Sequence, residues 1–126
     1  MIEVKLLSGA LGAEIKGIDL RDTSDDNFKK INDLLLEHKV IFFRNQIINA
    51  EEHKALGEKF GTLETHAYVK GLNNHPEIVR IIKAEDEKNQ WGENWHSDVS
   101  YNEKPTKAVI LTVSYTHLRA HETLLY

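Results

Sequence analysis

Trp91-Gly92-Glu93-Asn94-Trp95-His96-Ser97-Asp98-Val99-Ser100-Tyr101 is the stretch from which this chain can be read. On an extended backbone, residues i and i+2 point the same way, so the His96 imidazole and the Asp98 carboxylate can face one metal ion. A third ligand from elsewhere would complete a 2-His-1-carboxylate facial triad, which leaves coordination positions open for an oxidant and a substrate. Taken alone the tripeptide is weak. Seven His and twenty acidic residues in 126 positions give roughly one His-x-acid match by chance. A second copy of the pattern is present in His75-Pro76-Glu77. The bland reading of either is a surface histidine near a surface acid.

The elements around that stretch follow from local pattern. Ile2 to Leu7 alternates apolar and polar and predicts a strand. Gly9, Gly12 and Gly17 punctuate a turn and a second short strand over Ala13 to Leu20. Ser24, followed by Asp25 and Asp26, reads as a helix N-cap with acidic residues in the first turn. Phe28, Ile31, Leu34, Leu35 and His38 recur at helical spacing, so this helix should end near Glu37 or His38. Val40-Ile41-Phe42-Phe43 predicts a strand buried on both faces. Asn49-Ala50-Glu51-Glu52 has the form of a capping box and starts a second helix, which Gly61 closes after Phe60. Thr62 to Pro76 is irregular, Glu77 to Lys83 reads as a strand, Ala84 to Asn94 as a polar loop, and Ala108 to Val113 as a β-branched strand. This order predicts an α+β or mainly-β architecture, not a doubly wound sheet.

Composition narrows the chemistry. With 40% apolar and 29% charged residues the chain can build one domain. Its net charge of −4, with no basic stripe, argues against nucleic acid as a partner. The absence of cysteine removes thiolate metal sites and disulfides, so a metal must be held by His, Asp or Glu. No apolar run approaches the roughly 18 to 20 residues needed to span a membrane. The N-terminus lacks a signal peptide's apolar core, so the expected location is the cytoplasm.

Several ordered motifs together resemble the taurine dioxygenase family of iron(II)/2-oxoglutarate-dependent dioxygenases. Trp95-His96-Ser97-Asp98 with Val99-Ser100-Tyr101 is similar to its metal motif. Leu11-Gly12-Ala13-Glu14-Ile15-Lys16-Gly17-Ile18-Asp19-Leu20 is similar to its N-terminal signature. Glu37 to Gln46 and Phe60-Gly61-Thr62-Leu63-Glu64-Thr65-His66 match later segments, and the likeness covers about residues 3 to 112. The resemblance implies a double-stranded β-helix, a cupin-like jelly-roll with flanking helices, of which this is a truncated N-terminal portion. It implies Fe(II) held by His96, Asp98 and a histidine beyond this chain. It also implies 2-oxoglutarate as co-substrate, bound by Thr and Arg residues further downstream. O2 and a small anionic, taurine- or sulfonate-like molecule would be the other reactants, with 2-oxoglutarate leaving as succinate. A homo-oligomer of the complete protein is left open.

The resemblance also gives His66 a substrate-binding role, because an imidazole N–H can donate to an oxyanion. Asn94 could add its amide to the same pocket. Against these stand an exposed loop histidine and a loop asparagine serving local backbone. The family places a tyrosine soon after that histidine; here Val69 occupies the position and Tyr68 lies one residue before it. Trp91 and Trp95 read as core or pocket-wall packing. Two other readings fit the same residues: a non-catalytic binding module of this fold, and a different cupin-like metal enzyme using the His-x-Asp pair.

Residues 113–126 are expected to be unrelated to the domain over 1–112. Val113 to Thr123 resembles the in-frame translation of a common sequencing-library adapter, and such a scar is set aside in fold reasoning. His117 and His121 stand at i and i+4, but Leu118 follows His117 where the metalloprotease pattern needs Glu. The polypeptide as written is expected to be inactive, since the remaining ligands lie beyond it.

Overall fold

In the N-terminal hairpin, β1 (Glu3–Leu6) pairs antiparallel with β2 (Ala13–Lys16), in the register Glu3↔Lys16 to Leu6↔Ala13. Leu7 N donates to Gly12 O at 3.0 Å, and the Ser8 hydroxyl donates to Leu11 O at 2.6 Å, closing the turn. This computed structural model describes residues 1–82, 84, 86, 88, 94–114 and 121–125. The chain divides into two units, Met1–Thr62 with Ala108–Tyr126, and Leu63–Lys107.

In the first unit β2 is shorter than the pattern predicts. Gly17 adopts φ 87, a left-handed conformation that favours glycine, and a Cβ there would sit 2.3 Å from Met1 O. The chain therefore leaves the sheet after Lys16. Ile18 and Leu20 still enter the core. Their backbone groups find a side chain instead of a strand: Leu20 N donates to Gln46 Oε1 at 3.1 Å, and Gln46 Nε2 donates to Ile18 O at 2.9 Å. One amide thus substitutes for a stretch of ladder.

Ser24 caps α1 (Asp25–His38) as expected, its hydroxyl accepting from Asn27 N. Ile31 is buried, with Leu34 and Leu35 packed against the core. The pattern did not single out Asn27, which is buried because its Nδ2 donates to both Asp19 O, at 3.0 Å, and Asp22 O, at 2.7 Å. Lys39, at φ 71, turns the chain and donates its N–H to Leu35 O. The chain then enters β3 (Ile41–Arg44), which runs parallel to β2 with Ala13↔Ile41 and Glu14↔Phe42. A parallel pair needs a crossover, and α1 supplies it.

Strand β3 is buried on one face, not two. Ile41 and Phe43 are fully buried, Phe42 is half-buried and Arg44 is exposed. On that second face Arg44 Nε lies 3.4 Å from the largely buried Glu14 carboxylate. An apolar run alone does not distinguish an aromatic half-covered by neighbours from one enclosed by them.

The capping box at Asn49 is complete: Asn49 Oδ1 accepts from Glu52 N, and Glu52 Oε1 accepts from Asn49 N. It opens α2 (Ala50–Phe60), which buries Leu56 and ends at Gly61, φ 147. Phe60 meets Phe28 of α1 edge to face, centroids 4.9 Å apart, and Lys59 bridges to Asp25. His53 Nε2 donates to Ile110 O at 2.9 Å, tying α2 to β4 (Ile110–Ser114). The backbone of β5 (His121–Leu125) pairs antiparallel with both β3 and β4, giving the sheet order β1-β2-β3-β5-β4. The segment set aside in the sequence thus takes a central position. Backbone pairing of this kind tolerates many sequences and says nothing of origin.

The described residues of the second unit form no helix or strand. The strand expected over Glu77 to Lys83 is absent through Ile82, and Lys83 lies outside the described residues. A strand needs a neighbour for its N–H and C=O groups. Here Leu72 N bonds to Ile78 O and Ile78 N to His75 O, so the segment begins in a closed loop, and Ile81 and Ile82 are exposed. The outcome is an α+β arrangement with a mixed sheet. Among the described residues no helix is long and apolar enough to cross a membrane.

The Asn27 geometry gives a directional expectation. Asn27→Ala should lower stability by about 1–3 kcal/mol, because two carbonyls lose their donor. Asn27→Asp should cost more, since it sets carboxylate oxygens against those same carbonyls. Urea denaturation monitored by circular dichroism reads both; an Asp variant as stable as the parent would refute the assignment.

Candidate functional site

His96 and Asp98 lie in the second unit, on a segment shaped by local bonds. His96 Nδ1 donates to Asn94 O at 2.6 Å. An accepting carbonyl at Nδ1 fixes the ring orientation and leaves Nε2 as the nitrogen available to a ligand. Nε2 lies 3.0 Å from Asp98 Oδ1. Two ligands at right angles around a divalent ion, each about 2.1 Å from it, are themselves about 3 Å apart. The donor types and their spacing therefore fit two neighbouring positions of one ion. Among the described residues no group of three His, Cys, Asp or Glu is placed to hold a metal.

The turn after the pair is also local. Ser97 and Ser100 share a hydroxyl hydrogen bond of 2.8 Å. Val99 takes φ 49, unusual for a β-branched residue, and Asn102 N donates to Val99 O at 3.4 Å. This turn carries Tyr101, whose ring meets Tyr68 with centroids 5.7 Å apart. Tyr68 is in turn 6.3 Å from the His66 ring, edge on. The segments 66–69 and 94–102 are thus joined through aromatic rings.

His66 is half-buried, and its Nδ1 accepts from Tyr68 N at 3.1 Å and from Val69 N at 3.2 Å. Two donors on Nδ1 require a lone pair there, so the proton of the neutral ring sits on Nε2. Asn94 joins the site by its carbonyl, which the sequence reading missed in favour of its amide. A carbonyl two residues before a histidine carries no side-chain signature that could have found it. Trp95 is a correction: its indole is fully exposed and packs in no core. Segment 94–98 has no regular structure, and nothing in it folds over the ring. Trp91 lies outside the described residues, as does His117. The second His-x-acid motif, His75-Pro76-Glu77, sits in the tight loop closed by Leu72 and Ile78. There Gly71 approaches Pro76 so closely that a Cβ would lie 2.0 Å from its oxygen.

With this geometry established, comparison with known proteins defines the class. Residues 3–116 match the family described as taurine catabolism dioxygenase TauD, TfdA family. The chain belongs to that family. It is 33% identical over 112 residues to an alkylsulfatase of Acinetobacter baylyi, covering 87% of this chain and 34% of that protein. It is 29% identical over 112 residues to an alpha-ketoglutarate-dependent sulfate ester dioxygenase of Pseudomonas putida, covering 87% and 36%. The crystal structure of a taurine dioxygenase from Burkholderia xenovorans superposes with a TM-score of 0.70 at 30% identity, covering 90% of this chain and 41% of that one. The chain spans about a third of the length of the curated relatives it matches.

The Asn94 carbonyl raises the His96 pKa above the ordinary imidazole value, partly opposed by desolvation and reinforced by the Asp98 carboxylate. A raised folded-state value means that protonation favours the folded segment. That contribution is present below the unfolded value of about 6.5 and fades as pH rises through the folded one. In metal-free protein, His96 should titrate above an unfolded reference by NMR, and Asp98→Asn should bring it partway back. An unchanged midpoint in Asp98→Asn would refute the pairing.

Proposed function

We propose that a protein carrying this segment is an iron(II)- and 2-oxoglutarate-dependent dioxygenase acting on a small anionic organosulfur compound. The observation that carries the reading is the 3.0 Å separation of His96 Nε2 and Asp98 Oδ1, with His96 Nδ1 engaged by Asn94 O. His96 contributes a neutral nitrogen donor and Asp98 an anionic oxygen, a combination suited to a non-haem ferrous ion. Iron with 2-oxoglutarate and O2, when bound, supplies the oxidising power, the co-substrate leaving as succinate and carbon dioxide. The chain's own residues position. The Asn94 carbonyl holds the His96 ring, the Ser97–Ser100 bond braces the turn behind Asp98, and His66 offers Nε2–H to the substrate's anionic oxygen. Asn94 has an exposed side chain whose amide is available as a second donor.

The names of the relatives support an anion bearing sulfur, and the superposition on a taurine dioxygenase supports a jelly-roll for the complete protein. The third metal ligand and the groups that bind 2-oxoglutarate would come from outside the described residues. Residues 113–126 we assign to a foreign tail, although the family match runs to residue 116. Sequencing the source DNA across codon 113 tests that assignment, and natural flanking sequence that still encodes the tail would overturn it.

Two donors do not close a site, and among the described residues no third is placed beside His96 and Asp98, so the 126-residue chain should bind Fe(II) weakly. Anaerobic NMR titration should broaden signals of Ser97 and Val99 first, and His96→Ala or Asp98→Ala should abolish this. Tight stoichiometric binding by calorimetry, or broadening that survives both substitutions, would sink the ligand assignment.

A further inference from the structure

Strand β4 is joined to the sheet through β5. Among the described residues its ladder runs with β5 alone, in the register Ile110↔Leu125 to Ser114↔His121. Strand β3 meets β2 over Ala13↔Ile41 and Glu14↔Phe42, so Phe43 and Arg44 take their strand partners across the other edge, in Thr123 and Glu122. Because β5 is antiparallel to both neighbours, β3 and β4 run parallel to each other with one strand between them. A single backbone bridges the two at four successive levels. Leu125 stands between Ile41 and Ile110, Leu124 between Phe42 and Leu111, Thr123 between Phe43 and Thr112, and Glu122 between Arg44 and Val113. The walls and the filler differ in one respect. Ile41–Arg44 and Ile110–Ser114 lie within residues 3–116 that match the family, whereas His121–Leu125 lies beyond them.

We propose that β3 and β4 are the walls of a strand-accepting slot, filled here by the chain's own residues 121–125 and open to other extended segments laid antiparallel to both. Two parallel edges about 10 Å apart admit one strand and no more. The walls need it. Ile41 and Phe43 are fully buried, so the N–H and C=O groups beside them depend on protein partners rather than water. Helix α2 does not replace the ladder, since it reaches β4 through the bond from His53 Nε2 to Ile110 O, at one end of the strand. Ladder bonds are made by main chain, so the slot selects conformation before side chains, as in strand addition to a sheet edge. An occupant must offer an N–H at each bridging position, which excludes proline. Its positions opposite Ile41 and Phe43 share the face that those residues bury and suit apolar or small side chains. Those opposite Phe42 and Arg44 share the more open face and accept polar ones. The partner is therefore a short extended segment of alternating apolar and polar residues.

The test is hydrogen exchange of the 126-residue chain, followed residue by residue by NMR. Successive residues of a central strand bond neighbours on alternate sides, so Thr123→Pro combined with Leu124→Pro removes bonds to both walls. The β4 amides should then exchange at least about tenfold faster, while α1 and the β1–β2 hairpin keep their protection. A second variant keeps the strand pattern and changes every filler side chain: His121→Val, Glu122→Thr, Thr123→Val, Leu124→Thr and Leu125→Val. It should hold β4 exchange within about twofold of the parent. A synthetic peptide of alternating valine and threonine flanked by lysines, added at millimolar concentration to the proline variant, should restore β4 protection. The same peptide with a central proline should not. Unchanged β4 protection in the proline variant, its loss in the alternating variant, or no restoration by the peptide would overturn the proposal. Loss of α1 and hairpin protection along with β4 would also overturn it, because residues 121–125 would then belong to the folding core rather than fill a slot. Sedimentation of the parent as a dimer would assign the filler to a second copy and refute its place within one chain. No metal or substrate enters, so every outcome is independent of the oxygenase reading.

Discussion

The parallel pairing of β2 with β3 is the constraint on which the first unit depends. It forces the chain to cross over between the strands, and α1 is that crossover. It also fixes where the buried side chains of the two strands meet. Ala13 stands opposite Ile41, and Ile15 and Phe43 enter the same core as Ile31 of the helix. Where the ladder ends after Lys16, side-chain amides take over. Gln46 bonds the backbone of Ile18 and Leu20, and Asn27 bonds the carbonyls of Asp19 and Asp22. The irregular stretch 17–24 can then lie against the core without orphaned polar groups, whose burial would cost about 1–3 kcal/mol each.

The second unit is held differently. Its site depends on short-range bonds: Asn94 O to His96, Ser97 to Ser100, and Val99 O to Asn102. None of these encloses the donors, and the side chains of His96 and Asp98 remain about half exposed, at 49% and 47%. The arrangement sets the direction of the two side chains without desolvating them. The Tyr68–Tyr101 contact, between segments 33 residues apart, and the hydrogen bond from the Thr106 hydroxyl to the Glu64 carboxylate are longer-range links in this unit.

How much could be read in advance divides along the same line. Ser24, Asn49 with Glu52, and Gly61 announced the helix ends because a cap is a bond between near neighbours. The closeness of His96 and Asp98 was legible for a similar reason, since two residues of extended chain suffice to bring them together. Strand pairing was not. Glu77 to Lys83 has the composition of a strand yet forms no strand among the described residues, while β5 forms from a segment that had been set aside. A strand is completed by a partner that local pattern does not name.

The sequence by itself therefore determined the helices, their caps, the closeness of His96 and Asp98 and, through several ordered motifs, the family. Only the tertiary structure decided that β2 and β3 run parallel, that Asn27 and Gln46 replace missing ladder, that Trp95 stands in solvent, and that Tyr68 reaches Tyr101 beside His66. The reason is physical. Caps, turns and i, i+2 pairs are settled within a few residues, whereas burial and partner choice depend on which distant segments arrive to exclude water and take up the remaining hydrogen bonds.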